Sequence, residues 1–254
     1  IVDIAEDLGV YVLIDYHVLT PGNPNVYLDE TKPENAIKFF KELAELYKDK
    51  EHVLFETANE PNGVSWNDLK PYHDRIISEI RAIDSDVIII CGTPTFSQEI
   101  DKAFQLPVAQ PFNVMYTFHF YAGTHIGLLP NVRNHINKMP LFVTEFGVSE
   151  ASGNNGPFLT QTTDFLNLFD GLTDVSDVKV SWAMWSMCDK AETSAALLPG
   201  ACASKDFTQT SCAGTFISNR LKSLAIDGDV PQPTPRPSAS SAPNTASSTL
   251  YSAA

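Results

Sequence analysis

The chain has 254 residues, 43% of them hydrophobic and 19% charged, with three Trp, eight Tyr and fifteen Phe, which is enough to bury one large core. A formal net charge of -14 leaves no basic stripe to neutralise phosphates, so nucleic acid and anionic membranes are poor partners and a neutral ligand is a better one. No apolar run approaches the roughly 20 residues that span a bilayer, and no charged segment followed by a short apolar one opens the chain. The first stretch, IVDIAEDLG, already reads as a helix, so the sequence is expected to be cut at its N-terminus.

Apolar runs of strand length then follow in order: VYVLIDYH, VLFETAN, VIIIC, NVMYTFHFY, PLFVTEF and VKVSWAMWS. Near-continuous apolar strands of this kind predict a parallel sheet covered on both faces. Amphipathic stretches of helical period separate them. The first is PENAIKFFKELAELYKD, with Ile37, Phe40, Leu43, Ala44 and Tyr47 on one face. Next come WNDLKPYHDRIISEIRAID, FSQEIDKAFQL, a short stretch near NVRNHINK, and FLTQTTDFLNLFDGL, and AGTFISNRLKSLA closes the series. Strand-helix alternation allows either a doubly wound sheet or a (β/α)8 barrel, and the strands visible here are two short of the barrel. No strand is followed by G-x-G-x-x-G, which disfavours a dinucleotide-binding enzyme. From residue 227 the composition turns to Pro, Ser, Thr and Ala. Residues 1–226 are therefore expected to form the folded domain and 227–254 a disordered linker, of the kind that tethers a further module.

Polar residues gather where the strands end: Asp15 and His17, Asn59 and Glu60, His119 and Tyr121, Glu145, then Trp182 and Trp185. In a barrel those ends converge on one pocket. Two carboxylates facing each other there suit glycosidic bond cleavage. One with a raised pKa protonates the leaving oxygen while the other attacks or stabilises the developing cation. His17 and His119 lack the rest of a metal-ligand set, with no H-x-x-x-H, cysteine pair or acidic loop cluster, so no metal is expected; bonds to sugar hydroxyls or to the carboxylates suit them better. Trp66, Phe96 and Trp185 are each readable as core aromatics or as rim platforms for a pyranose face, whereas Trp182 reads as core. Cys91 ends an apolar strand as a small buried hydrophobe. Cys202 and Cys212 flank a polar loop, and a disulfide between them would contribute roughly 3 kcal/mol; two free thiols are the alternative.

The strings TANEPNG, VTEFG, IDYH, HFYAGTH and WAMWSMCDKAETSAALLPG resemble glycoside hydrolase family five, and within it the bacterial-type endoglucanases (cellulases), over nearly all of residues 1–224. The resemblance implies a (β/α)8 TIM barrel, with Glu60 as general acid/base at the end of barrel strand four and Glu145 as nucleophile at the end of strand seven. It implies a retaining double displacement on cellulose or mixed-linkage β-glucan, without a cofactor. It also implies that Asn59 bonds the sugar 2-hydroxyl, that Tyr121 touches the nucleophile, and that His17 and His119 line the same subsite. Trp185, joined to Ser186 by a cis bond, would be the platform under the sugar. Lys190 and Glu192 would hold further glucose units, and Phe96 would face the leaving-group side. A secreted, extracellular, monomeric enzyme with a polysaccharide substrate is the corresponding expectation, with a mannanase or xylanase, or a non-catalytic carbohydrate-binding relative, as alternatives. Members of the family carry two further strand-helix units ahead of IVDIAEDLG, including an arginine that pairs with the nucleophile. The chain by itself is accordingly expected to be poorly stable or inactive.

Overall fold

The computed structural model describes residues 1–18, 22–24 and 33–224, so the expected linker at 227–254 lies outside the described residues. Six strands form one sheet in the order β1 to β6, every neighbouring pair parallel. They are β1 (Val12–Asp15), β2 (Val53–Glu56), β3 (Ile89–Cys91), β4 (Val114–Tyr121), β5 (Leu141–Gly147) and β6 (Trp182–Met184). Sequential parallel neighbours curving in one direction make an open half-barrel, since each crossover places a helix on the same outer side. Those helices are α1 (Val2–Leu8), α2 (Pro33–Tyr47), α3 (Trp66–Arg81), α4 (Ile100–Gln105), α5 (Leu129–His135), α6 (Leu159–Phe169) and α7 (Cys212–Leu224). Among the described residues, no helix is long and apolar enough to cross a membrane.

Local chemistry fixes the boundaries. α1 stops at Gly9, whose φ of 66° is the left-handed conformation that glycine adopts without a Cβ penalty. α3 starts behind Ser65, whose Oγ accepts the Asp68 N–H, and it tolerates Pro71 because Leu69, Tyr72, His73, Ile76, Ile77 and Ile80 are all buried against the sheet.

Alternation along β4 sorts its side chains. Tyr116, Phe118 and Phe120 point outward to the helices, and Thr117, His119 and Tyr121 point into the half-barrel. Phe118 and Phe120 join Phe146, Phe165 and Phe169 in an aromatic cluster beneath α6, while Tyr116 packs edge-on against Trp66. Phe120 lies 4.0 Å from Phe165 and 5.1 Å from Phe146, measured between ring centroids.

β5 breaks the alternation. Two steps on β4, from Thr117 to His119, match three steps on β5, from Phe142 to Glu145, and the pairing with β6 slips across the same segment. This is a β-bulge on β5, and it lets the consecutive residues Thr144 and Glu145 both reach inward while Val143 and Phe146 stay in the core.

Three expectations need correction. The sheet is not covered throughout: β1 and β6 are only partly buried, each pairs on one side, and Ile4, Leu8 and Tyr11 beside β1 are exposed. The stretch FSQEIDKAFQL is helical only from Ile100, because Thr95, Phe96 and Ser97 hold left-handed φ values of 55°, 57° and 59°. The Cys202–Cys212 bridge is not formed. All four cysteines are free, and Cys202 turns toward Asp189, which accepts its backbone N–H at 3.0 Å, while Cys212 opens α7.

Candidate active site

The inner face of β4 supplies the middle of the site. Tyr121 donates its hydroxyl to Glu145 Oε1 at 2.7 Å, and two residues earlier His119 Nδ1 lies 3.0 Å from Glu60 Oε1. One donor atom each from Glu60, His119 and Glu145 lies within 4.8 Å of the others. The two glutamates, remote in sequence, thus share one cleft because β2 and β5 flank β3 and β4 in a curved sheet. This trio is the set of described residues whose atoms could share a cation, but the close contacts of both glutamates are already spent on His119 and Tyr121. Burial pushes the Glu145 carboxyl above the usual range, opposed by His119 and by the Tyr121 hydroxyl. Burial likewise raises the Tyr121 phenol.

Glu60 stands on a gripped loop. Gly92 approaches so closely that a Cβ there would lie 2.2 Å from the Ala58 carbonyl oxygen. Ser97 donates its hydroxyl to the Asn59 carbonyl at 2.7 Å, and the Phe96 N–H donates to the Pro61 carbonyl at 3.0 Å. The left-handed turn at 95–97 thus costs backbone energy, roughly 1–2 kcal/mol per residue, at the place where it holds Asn59 and Glu60. Below them His73, fully buried, bridges Thr57 Oγ1 at 2.8 Å and the Gly92 carbonyl at 2.9 Å.

The open side of the cleft is built from His17, Asn59 and Trp185. His17 Nδ1 meets Asp15 Oδ2 at 2.7 Å, which raises its pKa against the effect of burial, and Asn59 Nδ2 lies 3.4 Å from His17 Nε2. Trp185 stacks on His17 at 5.5 Å and 14°, 40% exposed, and its bond to Ser186 is cis. Phe96 is 44% exposed, whereas Trp66 is core and Trp182 packs edge-on against Phe146. Lys190 pairs with Glu192 at 2.6 Å, the lysine exposed and the carboxylate largely buried.

The structure adds residues that the sequence reading passed over. Glu56, 2% exposed at the end of β2, accepts hydroxyls from Thr117 at 2.6 Å and Thr144 at 2.7 Å, and Thr144 Oγ1 lies 2.8 Å from His119 Nε2. The available signal was a carboxylate closing the apolar run VLFE, where a buried strand end has no use for charge.

Glu56 and His73 give stability opposite pH slopes. Burial lowers His73 to about 4, so between that pH and about 6.5 the unfolded chain binds a proton that the folded one refuses. Its contribution is lost as pH falls through this window, on the order of 3 kcal/mol in all. Burial, with Asp15 nearby, raises Glu56 well above the carboxylate range. The folded state then keeps a proton that the unfolded one releases, and stability falls as pH rises above about 4.5. Glu56→Gln retains the accepting oxygen and cannot ionise. It is expected to be more stable than the parent at pH 7 and to gain stability more steeply between pH 5 and 6.5. Urea midpoints at pH 5, 6 and 7 check this, and identical slopes would mean that Glu56 ionises freely.

The sequence profile described as Cellulase (glycosyl hydrolase family 5) matches residues 1–191. The chain belongs to glycosyl hydrolase family 5. Among family 5 relatives it is 41% identical over 227 residues to an "Endoglucanase" of Clostridium saccharobutylicum, covering 87% of this chain and 48% of that protein. It is also 41% identical over 239 residues to "Endoglucanase 5" of Pectobacterium carotovorum subsp. carotovorum, covering 91% and 44%. The chain thus spans about half the length of the curated relatives it matches. Among solved family 5 structures, the cellulase Cel5C_n aligns with a TM-score of 0.79 at 45% identity, covering 87% of this chain and 66% of that one. The catalytic domain of Thermobifida fusca endoglucanase Cel5A aligns with 0.79 at 34% identity, covering 87% and 72%. The six-stranded half-barrel is accordingly part of the family 5 (β/α)8 barrel.

Proposed function

We propose that the protein containing this chain is an endo-β-1,4-glucanase that cleaves cellulose or mixed-linkage β-glucan with retention of anomeric configuration. The observation that carries this is the approach of Glu60 and Glu145 to within 4.8 Å. Retaining glycosidases hold their carboxyl groups about 5–5.5 Å apart, whereas inverting enzymes leave about 6.5–9.5 Å for a water between them. Glu145, held by Tyr121, is the nucleophile that forms the glycosyl-enzyme. Glu60, against His119, protonates the leaving oxygen and then deprotonates the incoming water.

Asn59 bonds the sugar 2-hydroxyl, a contact that strengthens as the oxocarbenium-like transition state forms. His17 and His119 line that subsite, Trp185 offers its exposed face to the sugar ring, Phe96 flanks the leaving-group side, and Lys190 and Glu192 meet glucose units further along. Residues 1–226 act as the catalytic region and 227–254 as a linker to an appended module. The protein is a secreted, extracellular monomer that requires no cofactor. The names of the endoglucanase relatives support glucan over mannan or xylan.

Cello-oligosaccharides and manno-oligosaccharides given to the whole protein test this reading. Internal cleavage of the former, with first-formed β-anomers seen by proton NMR, is expected. First-formed α-anomers, cleavage of manno-oligosaccharides alone, or binding without turnover would each overturn it.

A further inference from the structure

The hydrogen bonds behind Glu60 have a direction. Thr144 donates its one hydroxyl proton to Glu56 Oε1, so where its oxygen meets His119 Nε2 at 2.8 Å it can only accept. Nε2 therefore carries a hydrogen. A neutral imidazole has a single N–H, which leaves a lone pair on Nδ1, 3.0 Å from Glu60 Oε1.

Resting on the assignment of Glu60 as acid/base, we propose that Glu56 and Thr144 are positioning residues that hold His119 in its Nε2–H tautomer, so that Nδ1 faces Glu60 as an acceptor and the pair keeps one proton between them. That proton sits on Glu60 with Nδ1 accepting it, and it is the one the leaving oxygen takes as the glycosidic C–O bond breaks. The water that resolves the glycosyl-enzyme returns a proton to the same pair. The opposite tautomer would aim an N–H at Glu60, favour its carboxylate and weaken it as an acid.

The device needs a fixed acceptor for the Thr144 hydroxyl. Glu56 faces Asp15 from β1, Glu145 from β5, and the hydroxyls of Thr117 and Thr144; among the described residues, no cation is one of its hydrogen-bond partners. Both hydroxyls converge on Oε1, which accepts from each whether or not Oε2 carries a proton. His119 itself faces Glu60, Glu145 and Thr144, with Tyr121 two residues along the same strand.

The decisive measurement requires no turnover, so it succeeds or fails independently of the glucanase reading. Long-range proton–nitrogen NMR of the whole protein with labelled imidazoles, recorded where the ring is neutral, is expected to show Nε2–H for His119. Thr144→Val, of equal volume but without the hydroxyl, should raise the Nδ1–H form to a substantial share, and Thr144→Ser should restore the parent spectrum. An Nδ1–H tautomer in the unmodified chain overturns the proposal even if the valine variant does not fold, and so does a folded valine variant with an unchanged tautomer. In the whole protein, Thr144→Val is expected to lose about tenfold in kcat/KM on aryl cellobiosides with poor leaving groups and to move the alkaline limb of the pH profile downward, while activated substrates are spared. An equal loss on both substrate types would mark a merely structural role and likewise overturn it.

Discussion

Glu145→Ala is expected to abolish cleavage of every glycoside, with residual kcat/KM in the whole protein below about a ten-thousandth of the parent value, because no bond to the anomeric carbon can form without the nucleophile. Glu60→Ala should behave differently. The first step on a dinitrophenyl cellobioside needs little proton donation, so a burst of released phenol survives, whereas cellulose and cello-oligosaccharides lose about 10²- to 10⁴-fold. The contrast follows from the two holding contacts. Glu145 is oriented by a phenol that donates to it, which suits a carboxylate that attacks, and Glu60 sits against an imidazole that can share its proton. Stopped-flow release of the aryl group separates the two variants. Equal loss of the activated substrate in both would reverse or remove the assignment.

Phe120→Ala is expected to lose about 3–5 kcal/mol of folding stability, the usual cost of emptying a buried aromatic site. The ring is fully buried and touches Phe146 and Phe165, with Phe118 and Phe169 slightly further away. A domain typically holds only about 5–15 kcal/mol in total, so this one change consumes much of it. Phe120 is also the outward residue between His119 and Tyr121, and the cavity would loosen the strand segment that presents both. Phe120→Leu keeps much of the volume and should lose clearly less. Urea unfolding of the three proteins checks the order, and a loss below about 1 kcal/mol for the alanine variant would show that the cluster is not tightly packed.

Much of the fold was legible because parallel strands buried on both faces are written as continuous apolar runs, and VLFE, VMYTFHFY and LFVTEFG obey that rule. β6 was overestimated. Val178 and Val180 read as strand, yet only Trp182–Met184 pair, because β6 has a neighbour on one side only. The carboxylates and their companions were visible as polar residues at strand ends. The left-handed turn at 95–97 was not, since Thr, Phe and Ser carry no glycine signal for positive φ and contacts with the distant Asn59 loop help to hold them there. Glu56 and Thr144 were hidden for another reason. Their importance lies in which hydroxyl proton goes to which oxygen, and a bulge that one-dimensional alternation does not reveal brings Thr144 inward.

The inner face of β4 has a consequence for precision. Each glutamate is held by a residue of that one strand, His119 for Glu60 and Tyr121 for Glu145, and the two holders are one pleat repeat apart. A repeat of two residues is about 6.4–6.8 Å in any extended chain. The gap between the carboxylates is therefore gauged by a ruler made of peptide geometry, and loops that change length around the cleft can reshape what enters it without resetting the scale on which bonds are made and broken.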